Sequence, residues 1–377
     1  MVALARKTLW REWPRFMPAV LAICFAGMLL AVQAALVLGI FGSAALYVTA
    51  SSGDLWAGYP GTQSVNLGRA ISSDVEMALR MHPEVTAVEP MLWLDADWRS
   101  NQSNGGVSVS VNGINPHPDG MMFSHILLPA TRQALMQPGA VIVDRADLDQ
   151  LGVQPGGSAW INNKRVFVVA TVSGLRALGG VNVLASLDTV RELDTDPHDA
   201  GRPTYLLARL KDPTTAARVS HAISGQPAFG PYEVWTAANF ARRSQMFWMF
   251  DTGAGVAVLF LAAIVLVVGA VVACQALTAV VIGSAREYAT LNALGAGKAA
   301  LRWVVLEQAA WIGGLGLVLG SLLSTALLVV AYSRDVPVDM NLATALTCAV
   351  LVLALAMTSG LFAMRGLMRA DPSLLLR

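Results

Sequence analysis

The chain has 377 residues, 55% of them apolar and only 14% charged, with a net charge of +1. Soluble domains carry about a quarter of their residues as Asp, Glu, Lys or Arg, so a wholly soluble protein is excluded. The charge is unevenly placed: Ser51–Asp251 holds 15 basic and 19 acidic residues of the 26 and 25 in the chain, which excludes a nucleic-acid binder with a basic soluble part.

Residues 1–16 carry Arg6, Lys7, Arg11 and Arg15 beside Leu9, Trp13 and Phe16, which share one helical face. They read as an amphipathic helix on the cytoplasmic surface, with Pro14 and Pro18 turning the chain from it into the membrane. Charge-free runs follow at Phe16–Gly53, Thr252–Ala285, Gln308–Ser333 and Met340–Met364. Each exceeds the roughly 20 residues that cross a bilayer core, so four spans are expected. The first run is too long for the core of a cleaved signal peptide.

The first span is assigned to residues 17–48, its outer end projecting as a stalk. Within it Gly39 and Ser43 form a small-xxx-small pair that lets another helix approach, in the same chain or in a dimer. Residues 49–235 form a mixed α+β domain. Alternating β-branched runs predict strands at Val85–Trp93, Val107–Ile114, Ala140–Val143, Ala159–Ile161, Val166–Val172, Val181–Leu184 and Tyr205–Leu210. Helical patterns lie at Ser72–Met81, Ala146–Leu151, Leu187–Leu193 and about Thr236–Phe250, while GDLWAGYPGTQS reads as a turn-rich entry. Residues 236–285 then supply a second stalk and span.

Residues 286–306 form a short polar loop. Residues 307–333 make the third span, with Gly316 and Gly320 as a GxxxG packing pair, and Glu307 stands at its head. A loop at 334–339, a fourth span at 340–365 and a tail at 366–377 complete the chain. Lys and Arg cluster before the first span, after the second and after the fourth. This predicts cytoplasmic termini and an extracytoplasmic domain inserted between spans one and two. The fold class is thus a four-helix α-helical membrane protein with a mixed α+β outer domain.

No catalytic constellation stands out. The five histidines are scattered without metal-ligand spacing, and Asp194, Asp196, His198 and Asp199 read as a solvated acidic loop. Cys24, Cys274 and Cys348 all fall in apolar spans and read as small hydrophobes. The GAGK at Gly295–Lys298 fails as a phosphate loop, because Asn292, not Gly, lies five residues before Gly297 and Ala299, not Ser or Thr, follows the lysine. No catalytic, cofactor or metal site is expected in this chain, so ATP-driven work would need a partner that holds ATP and Mg. Glu287, Leu291 and Leu294, with Gly295 ending the helix, form a short element whose apolar knobs suit a groove in a cytoplasmic protein. Lys298 and Arg302 offer it charge pairs, or meet anionic headgroups instead.

The stretch REYATLNALGAGKAALRWVVLEQAAWIGGLGLVLG, Arg286–Gly320, resembles the signature of FtsX-like (MacB-type) ABC transporter permeases, the type VII mechanotransmission class. Pro138–Val172 resembles the strand–helix–hairpin unit of their periplasmic domain, with Gly156-Gly157 where many relatives have Gly-Asp. His82–Pro116 is similar to the DevC branch. The resemblance implies that Arg286, Glu287, Leu291, Leu294, Gly295, Lys298 and Arg302 belong to a coupling helix docking on a separate cytoplasmic ATPase. It implies a permease homodimer in the bacterial inner membrane, exporting substrate with an HlyD-type adaptor and a TolC-like duct. Two other family roles stay open: an FtsX-like signalling protein activating a cell-wall hydrolase, and a lipoprotein-releasing permease.

Overall fold

The computed structural model describes residues 13–100, 105–178, 180–195, 201–224, 227–283, 298–334 and 336–369. In chain order its main elements are α1 (Trp13–Ser43), α2 (Leu46–Thr49), β1 (Leu55–Gly58), α3 (Val75–Arg80), β2 (Val85–Ser100), β3 (Gly106–Ile114), β4 (Ala140–Asp144), β5 (Ser158–Ile161), β6 (Lys164–Val172), β7 (Asn182–Ser186), α4 (Leu187–Leu193), β8 (Tyr205–Leu210), α5 (Ala216–Ile223), β9 (Glu233–Thr236), α6 (Ala237–Met246), α7 (Ala254–Gly283), α8 (Lys298–Ser333) and α9 (Leu342–Arg369). They form two compact units, Met1–Gly39 with Val256–Arg377, and Ile40–Gly255.

Among the described residues four helices are long and apolar enough to cross a membrane: Trp13–Ser43, Ala254–Val280, Trp303–Ser333 and Leu342–Phe362. Helix α1 runs unbroken through Pro14 and Pro18, where the sequence suggested a turn. Pro14 sits in the first turn, where its missing N–H has no partner to lose, and Pro18 removes one bond from an otherwise intact ladder. Phe16, Ala19 and Ile23 pack with Ala273, Leu277, Val280, Ile312, Val352 and Ala356 to form the interior of this unit. Small residues set the approach distances. A Cβ added at Gly316 would lie 2.8 Å from Ile23 Cγ2, and one at Gly320 would lie 2.9 Å from the Cys24 carbonyl oxygen.

The other unit is built on one long strand. The first half of β2, Val85–Met91, pairs antiparallel with β8, which continues through β1 to β9 as a four-stranded sheet. Its second half pairs with β3 on one edge, Leu92 to Arg99, and with β5 on the other, Trp98 to Ser100. Because β3 continues through β7, β4, β6 and β5 back to β2, these six strands close into a ring. Two of the pairings, β3–β7 and β4–β6, are parallel. Closure removes the exposed strand edges that favour aggregation.

Side-chain alternation along the ring strands sorts two interiors. Val141 and Val143 of β4 and Val183 of β7 point into the ring with Trp98, Val109, Val111, Ile161 and Val166. Ile142 and Leu184, one residue out of phase, point to the opposite face and join a second cluster. Both faces of the β4 and β7 wall are therefore buried, which is why those strands read as unbroken apolar runs. The turn-rich entry GDLWAGYPGTQS contains β1, a fully buried four-residue strand hidden between glycines.

Candidate functional site: the socket around the entering stalk

After α1 ends at Ser43, the chain makes the single turn α2 and enters the second cluster, carrying Tyr47, Val48 and Ala50 into its interior. Tyr47 lies edge-on to Trp93 at 5.1 Å and to Phe123 at 5.9 Å, and its hydroxyl bonds the Asn182 side-chain oxygen. Such aromatic pairs add about 0.5–1.5 kcal/mol each beyond the area they bury.

Two loops grip this segment. In the first, Phe123 holds a left-handed φ of 52°, rare for a bulky residue and costing about 1–3 kcal/mol. What holds it there is the entering chain: the Phe123 N–H donates to Ser51 Oγ at 2.9 Å, while that hydroxyl donates to the Tyr47 carbonyl at 2.6 Å. The Ser52 N–H donates to the Met121 carbonyl and the His125 N–H to the Ala50 carbonyl, each at 3.0 Å.

Beneath that loop lie two buried charges. Glu89 accepts from the Met121 N–H at 2.6 Å and the Met122 N–H at 3.3 Å. Arg132, 1% exposed, donates to the Asn115 carbonyl at 2.9 Å and to the Met122 carbonyl. Burial pushes the Glu89 carboxyl above the usual carboxylate range, opposed by the two N–H bonds and by the Arg132 charge. Burial likewise lowers Arg132, and Glu89 opposes that shift. Gly120 is required here, since a Cβ would fall 2.3 Å from Arg132 Nη1.

The second loop closes the other side. The Leu178 N–H donates to Ser43 Oγ at 2.9 Å. Asn182 Nδ2 donates to the Leu175 carbonyl at 2.7 Å, and the Leu175 N–H to Asp144 Oδ2 at 2.7 Å.

The departing stalk packs on the same cluster. Phe240 of α6 stacks on Trp235 at 4.7 Å with the rings 14° apart, and lies 5.8 Å from Trp56 and 5.6 Å from Tyr205. Thr236 caps α6 by accepting from the Asn239 N–H. The chain leaves through a π-helical turn, Phe247–Asp251, whose Trp248 Nε1 donates to Ser64 Oγ at 3.0 Å. Single π turns often mark functional positions in helices.

The other expected site residues are placed as follows. Arg286, Glu287, Leu291, Leu294 and Gly295 lie outside the described residues, as do Asp196, His198 and Asp199. Lys298 and Arg302 stand on the first turns of α8. Gly39 lies against the carbonyl of Pro337, which a Cβ would approach to 2.2 Å, and nearby the Asp339 N–H donates to the Ala35 carbonyl at 3.0 Å. Gly316 and Gly320 lie against α1. Among the described residues no group of three metal-binding side chains is assembled. The socket itself offers no nucleophile or base in a cleft; what it can do is bear load. Reading the sequence alone missed it, because Tyr47, Ser51, Glu89 and Arg132 sit in four separate segments.

Residues 259–372 match the family model described as FtsX-like permease C-terminal. That stretch, the last three spans, is thus similar to the C-terminal part of FtsX-like permeases. Among solved structures, the periplasmic region of MacB from Actinobacillus actinomycetemcomitans is similar at 10% identity, covering 52% of this chain and 94% of that one with a TM-score of 0.35. The extracellular domain of the noncanonic ABC-type transporter YknZ from Gram-positive bacteria is similar at 10% identity, covering 49% and 100%, also with a TM-score of 0.35. No curated protein matches the chain.

Proposed function

We propose that this FtsX-like permease is the non-catalytic membrane subunit of an ABC exporter, working by mechanotransmission. A separate cytoplasmic ATPase, holding ATP and Mg, moves the 286–306 loop, and the helices pass that movement to the outer domain. The observation that supports this reading is the convergence of both stalks on one aromatic cluster: Tyr47 from the entering chain and Phe240 from the departing one. A displacement of either must be carried by the core between them, because a close-packed interior transmits strain rather than absorbing it. The reading includes a permease homodimer in the bacterial inner membrane, with the outer domain in the periplasm. There it would meet an HlyD-type adaptor and a TolC-like duct, as the DevC-like stretch of the sequence suggests.

The test is co-purification. With a candidate ABC ATPase co-expressed, Leu294→Glu or Lys298→Glu should abolish ATPase capture by the membrane-inserted chain while insertion is unchanged. Undiminished capture by both variants would overturn the docking assignment.

A further inference from the structure

The departing stalk ends in large apolar side chains that the outer unit leaves uncovered. Met246, at the end of α6, is 50% exposed, and Phe250, one turn on in the π-helical turn, is 47% exposed. A neighbouring loop is fastened to that turn. Trp248 Nε1 donates to Ser64 Oγ at 3.0 Å and to Asn66 Oδ1 at 3.3 Å, tying down the 3-10 turn Val65–Leu67. Val65 is fully buried, and its carbonyl accepts from the Tyr205 hydroxyl at 2.7 Å. Leu67, by contrast, is 46% exposed. Held by Tyr205 on one side and Trp248 on the other, the turn presents its leucine outward by construction.

The depth of this cluster follows from chain continuity. Gln33 Nε2 of α1 reaches the Val258 carbonyl of α7 at 3.5 Å, so these two residues stand at one level among the spans. Gly39, six residues further along α1, meets Pro337 in the loop between the third and fourth spans. At about 1.5 Å per residue that loop, which marks the membrane boundary, lies about 9 Å above the Gln33 level. Phe250 precedes Val258 by eight residues, and the chain between them is compact, since a Cβ on Gly255 would fall 2.6 Å from Met249 Cα. The same rise puts Phe250 about 12 Å above that level, and so about 3 Å beyond the boundary. A headgroup layer is about 5–7 Å thick on each side of the hydrocarbon, so Phe250 falls within it.

A tryptophan whose N–H is satisfied, flanked by half-exposed aromatic and aliphatic side chains, is the composition that settles in that layer. Asp251, exposed beside Phe250, stays in its water. We propose that Met246, Phe250 and Leu67 form a foot immersed in the lipid headgroup layer on the side of the α+β domain. The loop carrying Leu67 then touches the bilayer directly, a contact that neither stalk provides. The inference rests on the four spans and not on the ATPase reading.

The test uses the full chain in phosphatidylcholine nanodiscs, in a background with Cys24, Cys274 and Cys348 replaced. A bimane label is placed on Phe250→Cys, on Leu67→Cys or on Met81→Cys. Met81 is 71% exposed at the end of α3, whose Val75, Ala78 and Leu79 pack on the opposite face of the four-stranded sheet from Phe240. Phosphatidylcholine carrying a doxyl group just below its headgroup should quench the labels at 250 and 67 about threefold more strongly than that at 81, and aqueous iodide the reverse. All three positions are exposed, so the labels leave the fold intact. A label at 250 or 67 that behaves like the one at 81 would overturn the proposal. A label there shielded from both quenchers would also overturn it, by showing that protein, such as a second copy of the chain, covers the patch.

Discussion

The two units of this chain solve burial in opposite ways. In Ile40–Gly255 every long apolar run finds its partners inside the unit: the ring encloses one cluster, and its outer wall, the four-stranded sheet and the stalks enclose another. In the membrane unit helix α7 presents an apolar face to its surroundings, with Phe260, Val267 and Val268 all more than half exposed, whereas Phe16, Ala19 and Ile23 of α1 are buried. The lesson is that one unit is specified by side-chain complementarity and the other by the solvent it sits in. Lipid tails are as apolar as leucine, so the exposed face of helix α7 needs no protein neighbour, while Ala273, Leu277 and Val280 on its other face pack inside the unit.

Three substitutions probe that contrast. Trp98 is fully buried inside the ring with its Nε1 donating to the Leu151 carbonyl at 3.0 Å. Trp98→Ala should cost about 3–5 kcal/mol, read as a large fall in the melting temperature of the purified chain; a minor change would mean that the ring core is not close-packed. In the membrane unit, Gly316→Leu forces a side chain into Ile23 and should cost about 1–3 kcal/mol, while Val267→Ala, on the exposed face of α7, should stay within about 0.5 kcal/mol. Equal losses from both would show that α7 is packed by protein rather than lipid.

The smallest effect is a pH dependence in the socket. The folded-state pKa of Glu89 is raised, so the folded chain binds its proton more tightly than the unfolded one. Its contribution is fully present below the unfolded carboxylate value of about 4.3 and is lost as pH rises through the higher folded value. Relative to Glu89→Gln, the native chain should therefore lose melting temperature as pH rises out of the acid range. A difference that is flat with pH, or of the opposite sign, would show that the N–H bonds and Arg132 outweigh burial.

Much of this architecture was legible in the sequence, for definite reasons. The spans follow from charge-free length, and seven strands follow from alternating β-branched runs. What escaped is short or non-local. Strand β1 is four buried residues inside a glycine-rich segment, β9 is equally brief, and α5 spans only eight residues. Strand β2 extends through Asp95, Asp97 and Arg99, whose charges face solvent in a half-buried ladder and so break the apolar pattern. The closed ring depends on which strands pair, and no local period encodes that. The socket was invisible for the same reason: Glu89 and Arg132 meet only because β2 and the Pro129–Gln133 helix are brought together by the fold. Of the 286–306 segment, where the sequence signal was strongest, residues 286–297 lie outside the described residues, and from Lys298 on it belongs to α8, where the sequence suggested a loop.

The central claim is that the entering stalk and its socket move as one piece. It is tested most directly by stapling them: Ser43→Cys with Leu178→Cys, where Ser43 Oγ and the Leu178 N–H are 2.9 Å apart, in a background with Cys24, Cys274 and Cys348 replaced. ATP-driven turnover of the assembled transporter should then be equal with the disulfide formed and with it reduced. Turnover that stops on oxidation and returns on reduction would contradict the account, because it would show that the stalk must slide within the domain for the machine to work.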